Sequence, residues 1–177
     1  GRDKKADITF DASLAFNPKS TAIAYSRKGG ITSNIVSPHG GEGLFAGQSF
    51  AVDLSGEFDS VIQKQNGVIV YLGAESKGSR AKKLQELDHK LADIQEKLTE
   101  KPSKDDKSAK KLKRDEKVIK ALLAGEKPLL AFADRATDLL ALLALKEKYK
   151  LDLVLIGASD SVLIADKIAA AKVPVIM

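Results

Sequence analysis

Runs of apolar residues bounded by glycine or proline mark the predicted strands of this chain. Residues 31–36, 48–54 and 67–73 are three such runs. The last of them is apolar almost throughout, which is typical of a strand buried on both faces. Before them, an Asn-Pro pair at 17–18 predicts the start of a helix that ends at Lys28, just before two glycines.

From residue 78 to residue 125 the apolar spacing changes to that of helices. Intervals of three and four residues separate the members of one helical seam, namely Leu84, Leu87, Leu91, Ile94 and Leu98. Pro102 interrupts this seam, and a second helix is predicted over residues 104–124. The two charged helices predict an inserted hairpin at 78–125. This hairpin either packs on the body of the protein or forms an arm that binds a partner.

After the hairpin, strands and helices alternate with short connections. Residues 128–133, 151–157 and 173–177 are the predicted strands, and a helix is predicted between each pair. This order implies a parallel sheet of β-α-β units with right-handed crossovers, so the predicted fold class is α/β. The last strand lacks a covering helix, which predicts that residues 1–177 belong to a longer protein. Its exposed edge also predicts association into a homo-oligomer.

Composition and charge narrow the classes of function. Hydrophobic residues make up 44% of the 177 residues, cysteine is absent, and no run is long enough to span a bilayer. Residues 76–127 hold 16 Lys and Arg against 10 Asp and Glu, a balance of +6, and the other residues sum to −1, so the basic excess behind the net charge of +5 lies in this stretch. That stretch has no aromatic residue, so it predicts a solvated helical face and neither a nucleic-acid nor a membrane partner. The compartment stays open between the cytoplasm and an exported or periplasmic location.

Candidate ligand-binding side chains follow the predicted strands, because parallel α/β folds bind ligands at the carboxyl ends of strands. His39, Gln48 and Arg135 are the residues predicted to bind a small-molecule substrate or ligand. Glu42 and Glu75 also fall near strand ends, and Glu75 is equally compatible with a solvated position at the start of the hairpin.

Three polar residues stand where helices are predicted to begin. Asp134 is predicted to cap the helix after residues 128–133, and Ser159 or Asp160 the helix after residues 151–157. An alternative function arises here, because helix N-termini can bind a small anionic ligand.

The loop between the first two strands contains four glycines and a histidine. The glycines match neither a phosphate-binding loop nor a dinucleotide fingerprint, so a turn and a ligand cradle remain equally open for Gly40, Gly41, Gly43 and Gly47. His39 is placed for a strand-end site, whereas His89 lies on the charged helix. One imidazole is too few for a histidine-built zinc centre.

Residues 16–56 and 120–177 resemble imidazolonepropionase-related amidohydrolases. In that family an Asn-Pro helix start, a Gly-Ile/Val-Thr strand, a glycine-rich loop and a Gly-Gln pair occur in this order, as they do here between Phe16 and Gly56. The resemblance implies a partial (β/α)8 barrel with the hairpin inserted within it, and one barrel domain over residues 1–177. It also implies hydrolysis of a carbon–nitrogen bond by zinc or another divalent metal.

The resemblance further implies that this segment supplies no metal ligand. Phe132 and Gly157 stand where relatives have histidines, and Ile69 and Ala74 stand where relatives have lysine or glutamate. The remaining ligands of the family would lie outside residues 1–177. The implied protein is therefore a catalytically silent relative or an enzyme with a rearranged site, with no cofactor held by this chain. A small-ligand-binding α/β domain and an interaction module using the hairpin are the alternatives.

Overall fold

A computed structural model describes residues 5–39, 42–72, 78–99 and 112–177. The chain forms two compact units, Gly1–Val70 and Tyr71–Met177. Among the helices of the described residues, none combines the length and the apolar character that crossing a membrane requires.

The first unit is built around antiparallel strands. A 3₁₀ turn at Ala12–Ala15 and helix α1 (Thr21–Lys28) precede β1 (Ser33–Val36), β2 (Phe45–Asp53) and β3 (Val61–Tyr71). β2 pairs antiparallel with both β1 and β3. The three predicted strands are confirmed in place, although β2 begins at Phe45 and β3 at Val61, earlier than predicted, and the three pair antiparallel, unlike the parallel β-α-β units predicted after the hairpin. Short connections between consecutive strands allow direct antiparallel return, which needs no crossover helix.

Helix α1 begins later than the sequence predicts. Asn17 does not cap it, because its side-chain oxygen accepts a hydrogen bond from the N–H of Lys19 at 3.0 Å and closes a turn before the helix. Ser20 occupies the N-cap position instead. The predicted end is confirmed, since Lys28 is the last helical residue and Gly30 adopts a left-handed φ of 88°.

Large apolar side chains in and just after β2 form a buried cluster in the first unit. Phe50, Val52 and Leu54 are buried, and the partly buried Phe16 and Val61 pack against them. The rings of Phe16 and Phe50 meet edge to face, with centroids 5.7 Å apart. The predicted alternation therefore holds from Phe50 to Leu54, whereas consecutive residues from Phe45 to Phe50 are all buried, so this part of β2 is covered on both faces.

The second unit contains the predicted parallel strands. β4 pairs parallel with β5, and β5 pairs parallel with β6. Its elements are α2 (Arg80–Thr99), α3 (Arg114–Leu123), β4 (Leu129–Ala133), α4 (Ala136–Tyr149), β5 (Leu153–Gly157), a 3₁₀ turn (Ser159–Ile164), α5 (Ala165–Ala170) and β6 (Val175–Ile176). The chain is thus α/β with both antiparallel and parallel strand pairs.

Helices α2 and α3 pack against each other along the predicted seam. The seam is confirmed at Leu87, Leu91 and Ile94, which are buried, whereas Leu98 is 43% exposed near the end of α2. Lys97 of α2 forms a 2.6 Å ion pair with Glu116 of α3. The interruption predicted at Pro102 lies outside the described residues.

Polar contacts fasten α2 to α4. Arg80 Nε lies 2.9 Å from Asp138 Oδ2, and the Asp138 side chain is 8% exposed. Two turns along α2, Asp88 Oδ1 accepts hydrogen bonds from the buried Tyr149 hydroxyl at 2.6 Å and from Lys148 Nζ at 2.7 Å. These contacts favour the prediction in which the hairpin packs on the body over the one in which it forms a free arm.

Candidate functional site

Of the polar residues predicted to cap helices, only Asp160 caps one, and it caps a different helix from the one predicted. Asp160 Oδ2 accepts a hydrogen bond from the N–H of Ala136, the first residue of α4, at 3.1 Å. Asp134 caps neither helix, because Arg135 holds the N-cap position of α4 and Asp134 Oδ1 accepts from Ser159 Oγ at 2.9 Å. The predicted cap at Asp134 is therefore wrong, and Asp160 caps α4 instead of the helix after β5, although both side chains lie at the strand ends.

The turn after β5 has an unusual backbone that allows Asp160 to cap α4. Gly157 and Ala158 are consecutive residues with left-handed φ values of 83° and 49°. The N–H of Ala158 donates to the carbonyl of Ala133 at 2.8 Å, and the N–H of Asp160 donates to the carbonyl of Asp134 at 2.8 Å. These bonds extend the pairing of β4 and β5 beyond their ends and bring Asp160 to the start of α4.

This arrangement bears on the prediction of an anion site at helix N-termini. The carboxylate of Asp160 already accepts from the first N–H of α4, and it places a negative charge where an anionic ligand would bind. The second candidate helix, α5, has six residues and follows a 3₁₀ turn. An anionic ligand is therefore disfavoured at both predicted positions.

Apolar side chains form a row across the ends of the parallel strands. Phe132 of β4 pairs in register with Ile156 of β5, which pairs with Ile176 of β6. The ring of Phe132 stacks on the ring of Tyr71, with centroids 4.4 Å apart and an angle of 20° between the planes. The position at which members of the family are expected to have a histidine is thus occupied by Phe132, one of the two stacked rings.

One lysine of the charged helix departs from the prediction of a solvated face. Lys83 is 7% exposed, and its Nζ lies 3.5 Å from the carbonyl oxygen of Tyr71. Burial lowers the pKa of the Lys83 amine from its ordinary value, and the charge of Glu86 opposes that shift. His89 on the same helix is exposed, as predicted.

In the first unit, the predicted residues His39 and Gln48 occupy different environments. His39 is exposed, whereas Gln48 is 2% exposed in β2 and its N–H donates to the carbonyl of Phe10 at 2.9 Å. One glycine of the glycine-rich loop is required by the backbone. Gly47 has a φ of 127°, and a Cβ there would lie 3.0 Å from the Phe10 carbonyl oxygen. Gly47 therefore permits a close backbone approach, while Gly40 and Gly41 lie outside the described residues.

A cluster of polar side chains beside Gln48 was not predicted from the sequence. Asp11 Oδ2 accepts from Gln65 Nε2 at 3.0 Å, and the Ser49 hydroxyl donates to Asn66 Oδ1 at 2.7 Å. β3 has two more residues than β2 between the Ser49–Gly67 and Ala51–Gln63 pairs, and this bulge includes Gln65 at a φ of 50°.

The carboxyl group of Asp11 is held in its charged form within this cluster. Burial raises its pKa, but hydrogen bonds from Ser13 and Gln65, together with the charge of Lys64, outweigh burial and leave the pKa below the ordinary value. The Asn66-Gly67 pair inside a strand-like run was the available sequence signal, because this dipeptide favours turns and irregular backbone.

The remaining predicted residues are less informative. Arg135 is exposed at the N-cap of α4. Glu42 is exposed, and Glu75 lies outside the described residues. The roles of His39, Gln48 and Arg135 in substrate binding stay predictions.

The positions at which the resemblance places metal ligands lack the donor atoms that a divalent metal needs. Phe132 and Ile69 are apolar, Gly157 has no side chain, and Ala74 lies outside the described residues. Among residues 5–39, 42–72, 78–99 and 112–177, no group of three or more His, Asp or Glu side chains could hold a metal ion. The described part of the chain therefore does not fit the zinc centre that the resemblance implies.

By sequence, the chain matches no family profile and no curated protein. By structure, it is similar to an amidohydrolase from Thermotoga maritima MSB8, with a TM-score of 0.84 and 20% sequence identity. The match covers 98% of this chain and 48% of that one, so the chain spans about half the length of the amidohydrolase. At this identity the similarity establishes a shared fold.

Proposed function

We propose that this chain forms about half of an amidohydrolase-related barrel in which its own strand ends bind a small molecule and do not hold a catalytic metal. The observation that carries the proposal is the structural match to an amidohydrolase over 98% of the chain. The resemblance of residues 16–56 and 120–177 to imidazolonepropionase-related proteins supports a relationship within that group. The whole protein would then derive from hydrolases that cleave carbon–nitrogen bonds.

The side chains at the strand ends support binding over metal-dependent hydrolysis in this segment. A zinc-dependent hydrolase needs several nitrogen or oxygen donors around a bound water. Phe132 offers an aromatic face, and the carboxylates of Asp134 and Asp160 already accept hydrogen bonds from within the chain. The interaction-module alternative is less favoured, because α2 is tied to α4 by the Arg80–Asp138 pair.

Zinc titration of the protein and of Phe132→His tests the proposal. We expect no saturable zinc binding by the unmodified protein, measured by calorimetry and by metal analysis after dialysis. Phe132→His and the control Phe58→His are likewise expected to show no saturable zinc binding, because one imidazole is too few for a zinc centre, either at the strand end of position 132 or at Phe58, which is 81% exposed in a turn of the first unit.

Stoichiometric zinc in the unmodified protein, lost on substituting residues of this chain, would contradict the proposal. Saturable zinc binding by Phe132→His but not by Phe58→His would also contradict it, by showing that other metal donors already face position 132. Circular dichroism of each variant confirms that folding is retained.

A further inference from the structure

We infer that Asn66 is a site of spontaneous deamidation and that the bulge in β3 keeps this reaction slow in the folded protein. The chain has three asparagines, Asn17, Asn34 and Asn66. Asparagine is a thermolabile residue, because its side-chain amide can be attacked by the backbone of the same chain. The inference concerns the first unit and is independent of the function proposed for the strand ends of the second unit.

The reaction needs a backbone nitrogen that can approach the asparagine side chain. The nitrogen of residue 67 attacks Cγ of Asn66, the side-chain nitrogen leaves as ammonia, and a cyclic imide closes. Water then opens this ring to aspartate or to isoaspartate. Water is therefore consumed and ammonia released, and no oxidant or reductant takes part.

The residue that follows each asparagine selects Asn66. Asn17 precedes a proline, whose nitrogen carries no proton and cannot form the imide. Asn34 precedes an isoleucine, whose β-branched side chain crowds the attacking nitrogen. Asn66 precedes Gly67, which has no side chain to hinder the attack.

The fold holds the two reacting atoms of this pair apart. β3 continues through Asn66 and Gly67, and Gly67 is buried and lies opposite Ser49 of β2. In a strand the side chain stands roughly perpendicular to the sheet, whereas the backbone N–H lies within it. The nitrogen of Gly67 therefore reaches Cγ of Asn66 only when this part of β3 opens.

Two hydrogen bonds at the bulge oppose that opening. The hydroxyl of Ser49, a residue that is 1% exposed, donates to Asn66 Oδ1 at 2.7 Å and fixes the side chain that would react. Gln65, whose φ of 50° forms part of the bulge, donates from Nε2 to Asp11 Oδ2 at 3.0 Å. Asp11 thus holds the residue next to Asn66, and removing either acceptor or donor is expected to loosen the bulge.

Deamidation at this position damages the strand that follows it. Isoaspartate lengthens the backbone at residue 66 by a methylene group, just before Val68, Ile69 and Val70, which are 0% exposed. Because side chains alternate between the two faces of a strand, a change of register misplaces these buried residues. The modification therefore limits the lifetime of the fold, at a rate set by how often the bulge opens.

Incubation at neutral pH followed by peptide mass spectrometry measures the rate at each asparagine. We expect Asn66 to deamidate at least about tenfold faster in urea than in the folded protein, with Asn17 intact and Asn34 much slower in both. Ser49→Ala and Asp11→Ala are each expected to raise the folded-state rate about fivefold, the effect of losing one hydrogen bond. Circular dichroism confirms that each variant is folded at the start.

Asp7→Ala is the matched control, because the hydrogen bonds that Asp7 accepts come from Thr9 in the same segment of the chain. It is expected to leave the rate at Asn66 unchanged. Equal rates in the folded and the urea-unfolded protein would overturn the inference, as would an Asn66 that stays intact in urea. Unchanged or slower deamidation in both Ser49→Ala and Asp11→Ala would refute the restraint by the bulge.

Discussion

The carboxylate of Asp160 lies 3.1 Å from the backbone nitrogen of Ala136 and caps a helix that begins 24 residues earlier in the chain. Removing this acceptor leaves a partly buried N–H at the start of α4 without its partner. We expect Asp160→Ala to lower the free energy of unfolding by about 1 kcal/mol, the usual cost of losing an N-cap. Urea denaturation followed by circular dichroism measures this difference.

Asp152→Ala provides the matched control for that cap, because the Asp152 side chain is exposed just before β5. Asp160→Asn retains an acceptor oxygen and should fall between the wild type and Asp160→Ala. Equal stability of Asp160→Ala and Asp152→Ala would mean that the capping bond contributes nothing.

The ion pair between Arg80 and Asp138 is expected to be asymmetric. Its two side chains are 36% and 8% exposed, so Arg80→Ala leaves a nearly buried carboxylate without a cation, whereas Asp138→Ala leaves an arginine that can turn to solvent. We expect Arg80→Ala to destabilise the protein by about 2 kcal/mol and Asp138→Ala by less. Chemical denaturation of both single variants and the double variant gives the coupling energy. If the double variant loses more stability than the two single variants lose together, the proposed pairing of Arg80 with Asp138 is contradicted.

The contact between Asp88 and α4 makes stability depend on acid pH. Hydrogen bonds from Lys148 and then from Tyr149 lower the pKa of Asp88 in the folded protein. The contribution of this carboxylate is therefore complete above the unfolded aspartate pKa of about 3.9 and is lost as the pH falls through the lower folded value.

Asp88→Asn should accordingly be less stable than the wild type at neutral pH, with the gap narrowing below about pH 4. Unfolding free energies measured from pH 2 to pH 7 test this. Asp93→Asn, an exposed position on the same helix, is the control and should show no such convergence. A gap that is constant across the whole range would exclude Asp88 as the titrating group.

Alanine substitution should be costly at Gly47, where the backbone requires glycine, and tolerated at Gly43, where it does not. Gly47 has a φ of 127° and is crowded by Phe10 and Pro38, whereas Gly43 has open space around its Cα. We expect Gly47→Ala to cost about 2 kcal/mol and Gly43→Ala less than about 0.5 kcal/mol. Thermal unfolding compares them directly. Similar midpoints for the two variants would show that the approach of Phe10 does not require glycine.

The local pattern of the sequence was sufficient for most elements of the fold. Apolar runs located the strands, and the three-and-four spacing located α2, because burial of Leu87, Leu91 and Ile94 follows from helical geometry alone. The same runs could not reveal pairing direction. Antiparallel β1–β3 contain polar residues whereas parallel β4–β6 are apolar, but the pairing direction itself depends on which strands meet.

The candidate site was decided at the tertiary level. The sequence placed Asp134, Ser159 and Asp160 at strand ends, but their hydrogen-bond partners depend on the left-handed turn at Gly157 and Ala158. The Asp11–Gln65 contact likewise joins residues 54 positions apart through a bulge. Sequence determined which side chains were available near each strand end. Only the folded chain decided which of them meet, because non-local contacts are fixed by strand register and backbone conformation.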